Sequence, residues 1–278
     1  MNSGTITSTG NKTTGYYLGN GTGSTIASGA KIDVTGNEAN GAYINTGSSL
    51  TYAGETKVTG DAAYGLIVDG SSTVNATGGK VIIGGTSGIN GSSSGANTNR
   101  GAAGLVVTSG STLSGNNLDV TADVSGENSV GIYSAGSLAI NSANVSAYDS
   151  AVNFFTNGGT LSIGNNGGTS TVLTGSGTDK GALMFYTPSG SILLNGTVNA
   201  TVQGSTDTLK RGTAFYYTGG GTLGTISSYT QLNPTTIASW ARNRFGNGTG
   251  FYIPPTVSPI PSTPTYSTFS GLTSALTG

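Results

Sequence analysis

The chain has 278 residues, 49 of them glycine, with no cysteine, no histidine, 8% charged residues and a formal net charge of -1. Disulfides, thiolate or imidazole metal sites and a Ser-His-Asp triad are thereby excluded, and ten scattered Lys and Arg residues are too few to neutralise a phosphate backbone, so no nucleic acid is expected as a partner. Collagen is excluded because glycine does not recur at every third position, and a Gly/Ser linker is disfavoured because 34% of the residues are hydrophobic and fall in regular short runs.

Met1 is followed by Asn-Ser-Gly-Thr, with no charged and no apolar stretch, so this start does not read as a secretory signal. A fragment of a longer exported chain is the expectation. No run of about 18 apolar residues occurs, so no helical membrane insertion by this segment is expected.

From Gly15 onward one phrase repeats: Gly, two or three apolar residues, a Gly-Ser or similar turn, a short strand, Gly again. Gly41-Ala42-Tyr43-Ile44, Gly65-Leu66-Ile67-Val68 and Gly131-Ile132-Tyr133-Ser134 are three copies. Openings fall at Gly15, Gly41, Gly65, Gly104, Gly131, Gly181 and Gly212, with a late echo at Gly250. Ala151-Val152-Asn153-Phe154-Phe155 reads as an opening that has lost its glycine. The unit is roughly 20 to 31 residues long, and a Gly/Ser/Asn-rich insertion over 84–99 widens the gap before Gly104.

Inside a unit the apolar period is two. Lys31-Ile32-Asp33-Val34-Thr35 alternates, and so does Asn117-Leu118-Asp119-Val120-Thr121-Ala122-Asp123-Val124; both read as half-buried strands. Short strands, turn glycines and a fixed period predict an all-β chain: a right-handed single-stranded parallel β-helix, two or three strands per turn, turns stacked about 4.8 Å apart and about ten in number. A β-propeller needs blades of about 40 residues or more and fits less well.

Sites for chemistry are sparse. Asp119 and Asp123 share a strand face but stand about 13 Å apart, beyond the roughly 5–9.5 Å of glycosidase carboxyl pairs. Asp33 and Asp119 read as occupying matching slots several turns apart. Gly78-Gly79-Lys80 and Gly158-Gly159-Thr160 lack the later acid of a calcium-binding nonapeptide. Gly219-Gly220-Gly221-Thr222-Leu223-Gly224 spells GxGxxG but precedes a strand-like run, so it reads as a turn rather than a phosphate cradle. No catalytic residue, metal or cofactor is expected.

Candidate partner-binding residues fall in two groups. The position two after each opening glycine is Tyr17, Tyr43, Ile67, Val106 and Tyr133. Its neighbours on either side point the opposite way in a strand. If those neighbours fill the core, these residues form an outward aromatic-apolar stripe of the kind that marks a partner surface; the other reading is that an outer layer or a loop covers it. The second group lies in Asn233-Pro234-Thr235-Thr236-Ile237-Ala238-Ser239-Trp240-Ala241-Arg242-Asn243-Arg244-Phe245-Gly246. An Asn cap, Pro in the first turn and a closing Gly predict a short helical insertion near 233–246. It would pack over a rung or dock a partner through Trp240, Arg242 and Arg244. Five of the seven prolines then fall between Pro254 and Pro264, so the ladder is expected to stop there. The expected organisation is rungs over 1–226, an insertion with the helix and a late rung over 227–253, and a Pro-rich extended segment over 254–278.

The repeated Gly-apolar-Tyr or Gly-apolar-Ile opening, followed by Gly-Ser-x-Leu, resembles over residues 11 to about 226 the passenger domains of type V monomeric autotransporters, the β-helical surface proteins of Gram-negative bacteria. The resemblance implies a secreted adhesin fragment displayed at the cell surface as part of a longer chain. Its partners would be host cell-surface proteins or glycans, with self-association a further option. A carbohydrate-acting β-helix enzyme, a self-associating structural spacer and an ice-binding threonine array are the alternatives.

Overall fold

The computed structural model describes residues 1–85, 102–124, 129–148, 150–155 and 159–164, together with later strands between Thr171 and Tyr252 as backbone. It is all-β, and its strands stack in parallel as a β-solenoid.

Each turn has three sides. The first turn is β1 (Ser3–Thr9), β2 (Thr14–Gly19) and β3 (Ser24–Ile26). The second is β4 (Gly29–Thr35), β5 (Asn40–Asn45) and β6 (Ser49–Tyr52), and the third β7 (Glu55–Thr59), β8 (Tyr64–Val68) and β9 (Thr73–Ala76). The order repeats through β10 (Lys80–Gly85), β11 (Ala103–Val107) and β12 (Thr112–Asn116), then β13 (Asp119–Val124), β14 (Val130–Ser134) and β15 (Ser137–Asn141). It continues in β16 (Asn144–Ala147), β17 (Ser150–Phe155) and β18 (Thr160–Gly164), then β19 (Thr171–Thr178), β20 (Gly181–Tyr186) and β21 (Ser191–Gln203). Strands one turn apart pair side by side, so the first side runs β1-β4-β7-β10-β13-β16-β19 and the second β2-β5-β8-β11-β14-β17-β20. The 13-residue β21 pairs with β18 through its first half and with β19 through its second, which joins the first and third sides into one sheet.

Alternation within each strand drives this shape. In β4 every second residue is buried, with Ala30, Ile32 and Val34 inward and Lys31 and Asp33 outward. Inward residues of successive turns stack directly, as in Leu50–Val74–Leu113–Leu138–Leu161 on the third side. Each turn therefore buries its apolar row against the next, and the stacked rows form one continuous core along the solenoid. Buried polar atoms in this interior find partners: the Tyr52 hydroxyl, with one hydrogen to share, stands 3.0 Å from Thr56 Oγ1 and 2.9 Å from the Lys80 carbonyl. Its burial pushes the Tyr52 phenol above the ordinary tyrosine range, although the hydrogen bond with Thr56 works the other way.

The opening glycines have a steric cause. A Cβ on Gly15 would stand 2.7 Å from Ile32 Cγ2, and one on Gly65 would overlap Val81 Cγ1 and lie 2.5 Å from the Gly104 carbonyl. The same conflict recurs at Gly41, Gly104 and Gly131, where the second side packs hard against the interior of the first. The register corrects the later openings. Gly181 pairs with Ser150, one residue ahead of Ala151, and Thr213 pairs with Gly181, so Gly181 and Gly212 precede the slot rather than fill it.

A turn takes 20 residues between Tyr133 and Asn153 and 39 between Ile67 and Val106, the spacings read from the openings. The strand β23 (Thr222–Gln231) crosses the boundary expected at residue 226, with β22 (Thr213–Thr218) before it. β24 (Gly250–Tyr252) pairs antiparallel with β22, so the echo at Gly250 is not a further parallel rung. The helix expected near 233–246 and the Pro-rich segment over 254–278 lie outside the described residues. Among the described residues no helix is long and apolar enough to cross a membrane.

Candidate functional site: a tyrosine–aspartate network on the second side

The ladder places Tyr17, Tyr43, Ile67, Val106 and Tyr133 in one register column, as the spacing from the opening glycines indicated. Their flanking residues Ala42, Ile44, Leu66, Val68, Leu105 and Val107 are buried in the core. The column therefore faces outward, but its exposure is uneven. Tyr17 is 60% exposed, Tyr43 and Tyr133 are half-buried, and Val106 is only 3% exposed. Val106 joins Ala103 and Val130 in a small outer cluster, with Tyr64, Ile67 and Tyr133 packed against it. The stripe is thus open at its Tyr17–Tyr43 end and closed in its middle. Trp240, Arg242 and Arg244 lie outside the described residues.

At the open end the side chains of successive turns are tied together. The Tyr17 and Tyr43 rings touch, with centroids 5.7 Å apart and planes tilted by 57°. The Tyr43 hydroxyl donates to Asp69 Oδ2 at 2.6 Å, and Thr108 Oγ1 donates to Asp69 Oδ1 at 2.5 Å. Asn45 Nδ2 donates to the Tyr43 hydroxyl at 3.4 Å, while Asn45 Oδ1 accepts from the Thr46 amide at 2.7 Å. Asp69, Asn45 and Thr108 were not singled out in the sequence. They carry a readable signal nonetheless: each stands two residues after the stripe position, where a strand returns a side chain to the same face.

Burial alone would raise the Asp69 carboxyl, but the hydrogen bonds from Thr108, Tyr43 and the Gly70 amide outweigh it and hold the group below the usual aspartate value. The hydrogen bond to Asp69, with burial and the nearby negative charge, pushes the Tyr43 phenol up to about 12. The linkage signs follow. A carboxyl depressed in the folded state stabilises it above its unfolded value, and the contribution is lost as pH falls through the depressed value; a raised phenol contributes below its unfolded value and loses that contribution as pH climbs through the raised one. In Asp69→Asn the Tyr43 phenol is expected to titrate closer to the ordinary value of about 10, and the acid-limb loss of stability should shrink. NMR titration of the Tyr43 ring and unfolding midpoints measured between about pH 3 and pH 7 check both.

The acids on the first side are arranged differently from the sequence reading. Asp33 pairs with Lys57, whereas Asp119 pairs with Lys80, so the two acids fall in different columns. Lys31 approaches Glu55 at 3.4 Å and Lys80 approaches Asp119 at 4.0 Å, and all four side chains are substantially exposed. Such pairs contribute little to stability singly. Among the described residues no group of three or more His, Cys, Asp or Glu could hold a metal ion.

No protein-family model, curated protein or solved structure matches the chain.

Proposed function

We propose that this chain is a recognition segment of a bacterial surface adhesin of the autotransporter-passenger kind, which holds a host or neighbouring-cell receptor against the flank of the solenoid. The observation that carries this reading is the Tyr17–Tyr43 pair: two aromatic rings brought together from successive turns, braced by Asp69, with Tyr17 60% exposed on the outer side. An exposed aromatic on a rigid sheet is a poor choice for solubility and a good one for contact, because its area is large and its ordering cost small. The near absence of net charge means that affinity would come from such contacts and from hydrogen bonds rather than from long-range steering.

The test is binding of the labelled 278-residue chain to cultured epithelial cells and to bacterial cells. Tyr17→Ala is expected to reduce it. Raising salt from about 0.05 to about 0.5 M is expected to change affinity less than about twofold. Binding that ignores the Tyr17 substitution, or that collapses with salt, counts against the reading.

A further inference from the structure

We infer that the solvent face of Tyr17 is a stacking platform for a neutral hexopyranose, with the amide and carboxylate beside Tyr43 meeting the sugar's hydroxyl groups; the inference rests on the recognition role proposed above.

The contact between the two rings decides what can bind. A guest held between them would need about 3.5 to 4 Å to each ring, or some 7 to 8 Å between centroids. The rings stand 5.7 Å apart and tilted, so they occupy each other's flank and leave no slot between them. A cage for a quaternary ammonium group is therefore absent. What remains available is the outward face of Tyr17.

That face is held ready. The Tyr17 hydroxyl and Cε1 lie 2.9 and 3.0 Å from where a Cβ on Gly19 would stand. The ring thus leans along its own strand over a residue with no side chain, with Tyr43 against its flank. A ring fixed in this way loses little freedom on binding.

Size separates a sugar from a protein partner. A stable protein interface takes about 800 Å² from each side around an apolar centre. Among the described residues Tyr17 is the one large hydrophobic side chain that is exposed. One aromatic face with polar groups at its rim matches a pyranose, whose C–H face is apolar and whose edge is hydroxylated.

The rim sets the charge. Asp69 already accepts hydrogen bonds from Thr108, Tyr43 and the Gly70 amide, and an ionised carboxylate offers about four acceptor positions, so capacity for one sugar hydroxyl remains. No lysine or arginine forms an ion pair with Asp69 among the described residues. A carboxylated sugar would meet an uncompensated negative charge, and a neutral one would not.

The experiment is saturation-transfer NMR on the 278-residue chain with methyl β-galactopyranoside, methyl β-glucopyranoside and the methyl glycoside of N-acetylneuraminic acid. The neutral glycosides are expected to bind with Kd of about 1 to 10 mM, with transfer strongest at the ring C–H protons of one face. Tyr17→Ala should weaken this at least about tenfold, while Tyr17→Phe stays within about twofold. Gly19→Val keeps the tyrosine but displaces its ring, and should weaken binding as well. Circular dichroism verifies that each variant remains folded. Absence of transfer from either neutral glycoside, equal transfer to Tyr17→Ala, or preference for the sialoside overturns the inference. If neutral sugars fail while Tyr17→Ala still abolishes cell binding, the sugar assignment falls and the recognition role stands. If cell binding also ignores Tyr17, both fall.

Discussion

Gly65→Val is expected to destabilise the solenoid by more than about 3 kcal/mol, beyond the usual range for an overpacked core. The reason is that the added atoms meet two things at once. One is the Val81 side chain on the first side of the next turn, and the other is the Gly104 carbonyl of that same turn, 2.5 Å from the first added carbon. A side chain can rotate away, but a ladder carbonyl cannot move without loosening its turn. Gly65→Ala meets the same carbonyl and is expected to cost about 1 to 3 kcal/mol. Gly84→Ala is the matched control. Gly84 lies on the outward face of β10, a Cβ there would have nothing within 4 Å, and its register partner in the turn before is Thr59. That substitution should be neutral or gain a few tenths of a kcal/mol through the unfolded chain. Urea unfolding of the three variants, followed by far-ultraviolet circular dichroism, measures the contrast. Equal stability for Gly65→Val and Gly84→Ala would remove the steric account of the repeat.

The second large effect is expected at Tyr52. Its side chain is fully buried, beneath Ile26 and above Ala76 in the ladder, and it fills space left by Gly79, whose added Cβ would lie 2.7 Å from Tyr52 Cε1. Tyr52→Ala empties that corner and should cost about 3 to 5 kcal/mol, as truncation of a buried aromatic does. Tyr52→Phe keeps the volume but removes the hydroxyl that meets Thr56 Oγ1, on a fully buried residue, and the Lys80 carbonyl; a cost of about 1 to 3 kcal/mol follows from the groups left without it. Because each turn touches only its neighbours, the damage should concentrate near β6, β7 and β10. Amide exchange should therefore speed up there more than in β14 or β15. Uniform acceleration along the chain would show that the solenoid unfolds as a single unit.

These two sites also show what could be read from the sequence and what could not. Alternation in Lys31–Thr35 and the recurrence of Gly15, Gly41, Gly65, Gly104 and Gly131 are local patterns with local causes, so side, period and register followed from them directly. The column of Tyr17, Tyr43 and Tyr133 came out for the same reason. Its exposure did not, because the outer packing of Val106 on Ala103 and Val130 depends on residues distant in sequence. Asp69 was hidden by its position: it opens a Gly-Ser turn and reads as a turn residue until the ladder sets it next to Tyr43 and Thr108. Asp33 and Asp119 were misaligned by two residues, because phase was counted from strand composition rather than from the ladder that pairs Lys31 with Glu55 and Lys80 with Asp119. The later glycines Gly181 and Gly212 misled in the same manner, since a glycine beside the slot looks the same in sequence as a glycine within it.

The ion pairs on the first side add little to stability one by one, yet their order carries information. Along one column the residues run Lys31, Glu55, Lys80, Asp119, so the sign reverses at every step. A chain built from near-identical coils faces a particular error while it winds: a strand settles on the coil after next and leaves one looped out. In such a misthreaded pile Lys31 would lie against Lys80, or Glu55 against Asp119, according to which coil is left out. Like charges directly opposed oppose pairing, as unlike charges favour it. The alternation thus acts as a counting device, in which leaving out either middle coil meets repulsion along that edge and correct winding meets none.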